Sequence, residues 1–195
     1  MIAGLVSLVA AYLLGSIPTG YLLFRWRGGG DIRREGSGNI GATNVMRTGG
    51  KLIGILTFAL DAAKGAVAVL AARAAAGAPW GAAAAFVSVV GHCFPVFLRF
   101  KGGKGIATGC GAYAVLAPLP MAVALAVFTA AAFLTRIVSV GSILAGLTLP
   151  MMILWLKPEP ALLASVAAAV LLAIGRHHAN IRRLLAGREH RIDGA

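Results

Sequence analysis

Long apolar runs alternate with short polar segments along almost the whole chain. The first run covers residues 2–24, and about twenty apolar residues are enough for a helix to cross the hydrocarbon core of a bilayer. Six further runs follow, over residues 52–72, 80–97, 106–116, 121–134, 138–156 and 161–175. Because a chain in lipid must satisfy its backbone hydrogen bonds internally, this pattern predicts an all-α integral membrane protein with seven transmembrane helices.

The fourth and fifth apolar runs are the shortest, and their assignment as separate spans has alternatives. Either run is also compatible with a tilted, re-entrant or merged segment, so a five-span arrangement stays open. Pro95 is expected to break or kink the third run near its end. No polar segment is long enough for a separate soluble domain, and we therefore predict a single membrane-embedded domain over residues 1–195.

The positions of the basic residues predict the orientation of the chain. A signal peptide carries its positive charges before its apolar run, whereas Arg25 and Arg27 follow the first run. Because basic residues concentrate in cytoplasmic segments, the N-terminus is predicted outside and the C-terminus in the cytoplasm. Of the 18 Lys and Arg residues, only Lys64, Arg73 and Lys157 then lie outside the inner segments, Lys157 in an outer loop.

The overall composition supports a membrane protein and excludes an ordinary soluble domain. Hydrophobic residues make up 59% of the chain, charged residues make up 12%, and the mean hydropathy is +0.86. The net charge of +12 is typical of nucleic-acid binding, but the basic residues flank apolar runs, so we expect membrane lipid and no nucleic acid as partner. Cys93 and Cys110 lack partners at metal-ligand spacing and are interpreted as packing residues.

Two charged residues interrupt the second apolar run. Asp61 and Lys64 are three positions apart and therefore lie on one face of the predicted helix. Charges at membrane depth are costly unless they are paired or face a protein interior. We interpret them as an ion pair that orients the helix against its neighbours, and a direct contact with a ligand is the alternative.

Three polar segments on the predicted cytoplasmic side contain the candidate functional residues. In the first, Gly36, Gly38 and Gly41 allow the backbone to approach a ligand and to direct N–H groups toward an anion. Arg47 adds a charge that suits a phosphate, although a flexible loop between helices is the alternative. The second segment holds Lys104 at the start of the fourth run, where the N-terminus of a helix attracts anions.

The third polar segment follows the last apolar run. His177 and Asn180 are three positions apart, so they share one face if this segment is helical. Ser139 and Ser142 lie one turn apart at the start of the sixth run, at the same predicted depth. Thus phosphate binding at the cytoplasmic boundary is the chemistry that the polar residues favour.

These polar segments resemble the three motifs of a known family. The matching residues are Gly36-Ser37-Gly38-Asn39-Ile40-Gly41-Ala42-Thr43-Asn44, then Gly91-His92-Cys93-Phe94-Pro95 with Phe100-Lys101-Gly102-Gly103-Lys104-Gly105-Ile106-Ala107-Thr108, and Arg176-His177-His178-Ala179-Asn180-Ile181-Arg182-Arg183-Leu184. Over essentially its whole length the chain resembles the bacterial membrane glycerol-3-phosphate acyltransferases that use acyl phosphate, the PlsY family.

The resemblance implies an activity and a cellular setting. The reaction would transfer a fatty acyl group from acyl phosphate to the 1-hydroxyl of sn-glycerol 3-phosphate, giving lysophosphatidic acid and phosphate for phospholipid synthesis. The resemblance also implies a seven-helix, multi-pass protein of the bacterial plasma (inner) membrane, with its active site facing the cytoplasm and without metal or cofactor. We expect a monomer.

The charges and hydrogen-bonding groups in these segments indicate which residues act. The expected catalytic residues are Ser37, Arg47, Lys104, His177 and Asn180. The expected substrate-binding residues are Gly36, Gly38, Asn39, Gly41, Thr43, Asn44, Lys101, Gly103 and Ser142. Two candidates for the acceptor of the hydroxyl proton stay open. They are His177 and an oxygen of the acyl phosphate itself. A transporter of an organic phosphate or another anion is the competing function, because polar breaks in membrane helices also mark substrate pathways.

Overall fold

The computed structural model describes residues 1–156 and 158–192, and this part of the chain is helical, without a strand. Lys157, which the sequence analysis places in an outer loop, lies outside the described residues. The α-helices are α1 Ile2–Ser16, α2 Thr19–Trp26, α3 Ala42–Gly49, α4 Lys51–Ala76, α5 Ala78–Cys93, α6 Ile106–Leu116, α7 Pro118–Thr135, α8 Val138–Leu156, α9 Pro160–Arg176 and α10 His178–Leu185. The chain divides into two compact units, unit 1 over Met1–Leu116 and unit 2 over Ala117–Ala195.

The helices confirm an integral membrane protein with several apolar spans. Five helical segments within the described residues are long and apolar enough to cross a membrane, namely Ile2–Trp26, Lys51–Ala76, Ala78–Leu98, Pro118–Thr135 and Val138–Leu156. The count becomes six if α9 and α10, which meet at a bend of 56°, form one broken span. Helix α6 has the predicted bounds but only 11 residues, so at about 1.5 Å per residue it is shorter than the hydrocarbon core is thick.

The first apolar run is two helices, whereas the sequence predicts one. Helix α1 ends at Ser16 and α2 begins at Thr19, because Pro18 lacks the N–H that a continuous helix would bond to the preceding turn. The carbonyl of Ile17, at the break, accepts a hydrogen bond from Lys64 Nζ of α4 at 2.8 Å. The charged residues of α4 therefore support the break in the first helix.

Small residues allow the helices of unit 1 to pack closely. Ala11, Ala68, Ala72 and Ala84 form a buried cluster where α1, α4 and α5 meet. A Cβ atom at Gly65 would overlap the carbonyl of Thr108, and one at Gly111 would overlap the carbonyl of Ala62. Glycine is thus required on both α4 and α6 for their close approach, as is common between membrane helices.

A second cluster in unit 1 underlies the glycine-rich segments. It contains Phe24, Ile32, Ile40, Val45, Ile53 and Leu98. Ile32 and Val45 are fully buried at 0% exposure, so the polar segment between them is anchored by apolar side chains at both ends. Leu98 belongs to the other glycine-rich segment, and therefore the two segments share one core.

Unit 2 is built from α7, α8, α9 and α10. A two-residue connection with Arg136 in the left-handed conformation, at φ 60°, joins α7 to α8, which packs along it. Helix α8 has the predicted bounds, whereas α7 begins earlier than predicted, because Pro118 starts the helix instead of forming the preceding turn. Residues 178–185, which lie beyond the last apolar run, form α10.

Candidate active site

The segment over residues 36–47 is organised around the buried amide of Asn44. Its Oδ1 atom accepts a hydrogen bond from the Ser37 N–H at 2.8 Å. Its Nδ2 atom donates to the carbonyls of Glu35 and Asn39, at 3.0 and 2.9 Å. Asn44 is only 2% exposed, so it is the internal support of the loop. In the structure its amide group bonds to the loop backbone, and the substrate contact expected of Asn44 stays a prediction.

Glycine is needed at two positions of this loop. Gly36 and Gly38 have φ angles of +54° and +72°, which side chains other than glycine adopt with strain. A Cβ atom at Gly36 would also overlap Asn44 Oδ1. Gly41 has an ordinary φ of −78° and serves as the N-cap of α3. Its N–H donates to Asn39 Oδ1 at 2.8 Å, which closes a local turn before the helix.

The remaining predicted residues of the first segment lie at its surface. Ser37, Thr43 and Arg47 are exposed, and Asn39 is half-buried. Thr43 belongs to the first turn of α3, where backbone N–H groups have no acceptor within the helix and attract anions. Arg47 lies one turn further along the same helix. The geometry therefore presents a hydroxyl, N–H donors and a cation on one short element.

An ion pair precedes this loop. Asp31 caps the 3-10 turn Ile32–Arg34 by accepting a hydrogen bond from the Arg33 N–H at 3.0 Å. The Arg33 guanidinium also contacts the Asp31 carboxylate at 2.6 Å. The side-chain hydrogen bond from Arg33 holds the pKa of Asp31 at about 2, below its ordinary value of 3.8. The turn before the loop is thus fixed by charge at neutral pH.

The second segment connects α5 to α6. Helix α5 ends at Cys93, which confirms the predicted break at Pro95, and the 3-10 turn Val96–Leu98 follows. Gly105 has a φ of +81°, and this left-handed residue leads into α6. Lys104 is half-buried immediately before that helix, whereas Lys101 is exposed. The predicted placement of Lys104 beside a helix N-terminus is therefore confirmed.

Unit 1 brings the first two segments together, and unit 2 holds the third. His177 and Asn180 lie at the junction of α9 and α10, and both are buried. His177 Nδ1 lies 2.7 Å from the Ala173 carbonyl. A carbonyl only accepts hydrogen bonds, so Nδ1 carries the hydrogen and the neutral ring keeps its lone pair on Nε2. Ser142 is buried on α8, and its hydroxyl donates to the Val138 carbonyl of the preceding turn at 3.0 Å.

Glu189 is a residue of unit 2 that the sequence analysis missed. Its Oε1 atom accepts hydrogen bonds from Asn180 Nδ2 and, at 3.0 Å, from Ser139 Oγ. Its Oε2 atom accepts one from Arg183 Nε at 2.6 Å. Arg183 of the basic tail therefore pairs with Glu189. The signal for this ion pair in the sequence is the acidic residue Glu189 six positions after Arg183 in a basic tail.

The surroundings of Glu189 favour its charged form. Burial raises the pKa of this carboxyl, but the hydrogen bonds from Arg183, Asn180 and Ser139 outweigh burial and bring the pKa below its ordinary value of 4.5. A carboxylate with a lowered pKa stabilises the fold above its unfolded-state pKa and loses that contribution as the pH falls through the folded-state value. Glu189 therefore stabilises the end of unit 2 at neutral pH.

Replacing Glu189 by glutamine should lower the stability at pH 7 by about 1–3 kcal/mol, the usual contribution of hydrogen bonds to a charged group. The measurement is the apparent melting temperature of the detergent-purified protein between pH 7 and pH 3. We expect the difference from wild type to shrink as the pH falls from 4.5 through the lower folded-state pKa, at which the carboxylate of the folded protein becomes protonated. Glu35→Gln, at an exposed acidic residue, is the matched control. A difference independent of pH would contradict the electrostatic role.

Comparison with known proteins adds to this geometry. The family model described as glycerol-3-phosphate acyltransferase matches residues 5–187. A glycerol-3-phosphate acyltransferase of Syntrophotalea carbinolica is 50% identical over 194 residues, which cover 96% of each chain. One of Trichlorobacter lovleyi is 46% identical over 193 residues, which cover 98% of this chain and 99% of that protein.

Two solved structures are also similar to this chain. Both are crystal structures of PlsY (YgiH), described as an integral membrane glycerol 3-phosphate acyltransferase, in a glycerol 3-phosphate form and a lysophosphatidic acid form. Each is 38% identical and covers 96% of this chain and 94% of its own, with TM-scores of 0.93 and 0.90. Since the family model and the relatives match nearly the whole sequence, the chain belongs to the glycerol-3-phosphate acyltransferase family.

Proposed function

We propose that this protein transfers a fatty acyl group from acyl phosphate to the 1-hydroxyl of sn-glycerol 3-phosphate. The products are 1-acylglycerol 3-phosphate (lysophosphatidic acid) and phosphate. One observation supports the proposed acceptor and the proposed product. Crystal structures that are similar over 96% of this chain are described in a glycerol 3-phosphate form and a lysophosphatidic acid form. The names of the relatives agree with this acceptor.

The proposed donor rests on the sequence. Acyltransferases that use thioester donors carry His-x-x-x-x-Asp, in which an acid orients a general base. None of the histidines of this chain has Asp five positions later; they are His92, His177, His178 and His190. An acyl phosphate is a mixed anhydride with a good leaving group, so positioning and charge neutralisation supply much of the catalysis. This donor suits a protein rich in phosphate-binding features.

The residues of unit 1 suit the binding of phosphate groups. Two phosphate-bearing substrates repel one another, and cations and N–H donors offset that repulsion. We assign Arg47 and Lys104 to this neutralisation. The first turn of α3, together with the exposed side chains of Ser37 and Thr43, is assigned to the acyl phosphate. The glycines at 36, 38, 41 and 103 shape the backbone, and the exposed Lys101 adds positive charge beside Lys104.

The residues of unit 2 suit glycerol 3-phosphate. His177, Asn180 and Ser142 provide an imidazole, an amide and a hydroxyl, which are groups that bind and orient hydroxyls. In the reaction the 1-hydroxyl oxygen forms a bond to the acyl carbonyl carbon, and the bond from that carbon to the phosphate oxygen breaks. The proton of the hydroxyl passes to His177 Nε2, the nitrogen that carries the lone pair when Nδ1–H bonds to Ala173.

The proposal includes the membrane setting. We place the protein in the bacterial plasma membrane as a monomer, with the N-terminus outside and the C-terminus in the cytoplasm. The seven helical passes are the broken α1–α2 segment, then α4, α5, α6, α7, α8 and α9, with α6 as the short one. The predominance of basic residues in the segments assigned to the inside supports this orientation and a cytoplasmic reaction.

The test is product formation by the purified protein in detergent. With palmitoyl phosphate and radiolabelled glycerol 3-phosphate, we expect labelled lysophosphatidic acid and phosphate in equal amounts. Palmitoyl-coenzyme A and palmitoyl-acyl carrier protein should give no product as direct donors. Product from a thioester in place of the acyl phosphate would overturn the proposed donor.

The competing transporter function requires a different measurement. Proteoliposomes that contain the protein are exposed to radiolabelled glycerol 3-phosphate without any acyl donor. We expect no accumulation of label above that of empty liposomes. Uptake together with an absence of acyl transfer would replace the enzyme by a carrier.

A further inference from the structure

A buried polar network in unit 1 lies outside the residues assigned to the reaction. Asp61 and Lys64 of α4 form the predicted ion pair, with Lys64 Nζ at 2.7 Å from Asp61 Oδ1. The pair extends further than the sequence indicated, because Thr19 Oγ1 donates to Asp61 at 2.6 Å. Lys64 Nζ also lies 3.1 Å from Nδ1 of His92, near the end of α5. Asp61, Lys64 and His92 are 1%, 7% and 4% exposed.

The contacts define how the His92 ring is held. Nδ1 of His92 faces the ion pair, within hydrogen-bond distance of the Lys64 ammonium group. Asp61 Oδ1 is 3.4 Å from the same Nδ1 atom and binds Lys64 on its other side. The orientation of the imidazole is therefore set by α4 and not by its own helix.

The opposite side of His92 contacts the segment that carries Lys104. The His92 carbonyl accepts a hydrogen bond from the Gly103 N–H at 3.0 Å. A Cβ atom at Gly103 would overlap His92 Nε2, and one at Gly102 would overlap the His92 carbonyl. The backbone and the ring of His92 thus pack directly against Gly102 and Gly103, the two residues before Lys104.

We propose that His92, held by Lys64 and Asp61, is a positioning residue that fixes the backbone over residues 102–104 and thereby aims Lys104 at a substrate phosphate. This inference deepens the proposed function and rests on it for the identity of the phosphate. His92 itself touches no substrate in this role. Burying two charges and an imidazole costs free energy. A small misplacement of a catalytic group lowers the rate about 10²-fold. Accurate placement of Lys104 is therefore the functional reason for keeping this buried network.

Two variants separate the parts of the network. His92→Asn keeps an acceptor for Lys64 but removes the ring atoms beside Gly103. The double variant Asp61→Asn/Lys64→Met keeps the ring and removes the pair that orients it, without leaving one buried charge unpaired. Ser88→Ala is the matched control, because Ser88 is a buried polar residue of α5 whose hydroxyl donates to the Ala85 carbonyl of the same helix.

The first readout is hydrogen–deuterium exchange of the detergent-purified protein, which requires no activity. Both network variants should exchange at least about tenfold faster in peptides that cover residues 99–105, while the rest of α5 keeps wild-type protection. Ser88→Ala should match wild type throughout. Unchanged exchange of this segment in His92→Asn would overturn the inference whether or not the protein proves to be an acyltransferase.

The second readout is a double-mutant cycle between His92 and Lys104. We expect His92→Asn to lower kcat/KM by about 10–100-fold in the wild-type background and by less than about threefold in Lys104→Ala. The loss should fall on the KM of one phosphate-bearing substrate, whereas a smaller folded fraction lowers the apparent kcat and leaves both KM values unchanged. Equal losses in the two backgrounds would show that His92 does not act through Lys104. An inactive wild type would instead count against the proposed function, and the exchange data would still decide the inference.

Discussion

Replacing Lys104 by alanine is expected to lower kcat/KM for acyl transfer by about 10²–10³-fold, with the protein still folded. Lys104 is half-buried at the start of α6, where its ammonium group and the helix N-terminus attract the same anion. A preorganised donor of this kind contributes about 3–4 kcal/mol to the stabilisation of a developing charge. Steady-state kinetics with palmitoyl phosphate and glycerol 3-phosphate, each varied in turn, measure the loss.

A second variant at position 104 distinguishes the effect of the charge from the effect of the side-chain shape. Lys104→Arg keeps the charge but changes its shape, and we expect it to recover only part of the activity. The control is Lys51→Ala, which removes an exposed lysine at the first residue of α4 and should leave the rate within about twofold of wild type. A folded Lys104→Ala enzyme with activity close to wild type would eliminate the assigned role.

The apolar pattern predicts the long helices of this protein well. Helices α6 and α8 have the expected bounds, because Gly105 and Pro118 bracket the first run and Arg136 lies just before the second. The break at Pro18 was missed, since the residues on both sides of it are apolar and hydropathy does not register a lost N–H. The number of spans depends on α6, whose 11 residues are apolar but short for a bilayer.

The short polar helices were not predictable from hydropathy. Helices α3 and α10 have eight residues each, and half of the residues in each are polar, so neither resembles a membrane span. Isolated helices of this length are marginal in water, and their formation depends on tertiary packing. For α3 that packing is visible in the structure, because Val45 is fully buried in the core cluster of unit 1.

The residue types predicted the chemistry of the site well. They predicted the role of each individual residue less well. Asn44 lies inside a motif of phosphate-binding character, but its side-chain amide holds the loop together. Asp61 and Lys64 were correctly paired from their spacing on one helix, whereas the link to His92 depends on another helix and has no signal in local sequence. Glu189 was missed because its spacing from Arg183 does not reveal that Ser139 of α8 also binds the same carboxylate.

A His177→Gln variant is expected to lower kcat by about 10²–10⁴-fold, the usual contribution of a general base. In wild type the Ala173 carbonyl fixes the hydrogen on Nδ1, so Nε2 is the nitrogen that accepts the proton of the substrate hydroxyl. Because only the neutral ring accepts a proton, the wild-type rate should fall as the pH decreases and the imidazole becomes charged. The pH dependence of kcat between pH 5 and pH 9 measures this acidic limb, which glutamine abolishes.

The neighbouring histidine provides the matched control for this result. His178 is exposed, and its Nδ1 also lies near a carbonyl of the preceding turn, that of Gly175 at 3.0 Å. His178→Gln should therefore keep both the wild-type rate and the acidic limb. If His177→Gln retained substantial activity with the wild-type pH profile, an oxygen of the acyl phosphate would be the better proton acceptor. His177 would then orient the hydroxyl through a hydrogen bond, a role that an amide side chain also performs.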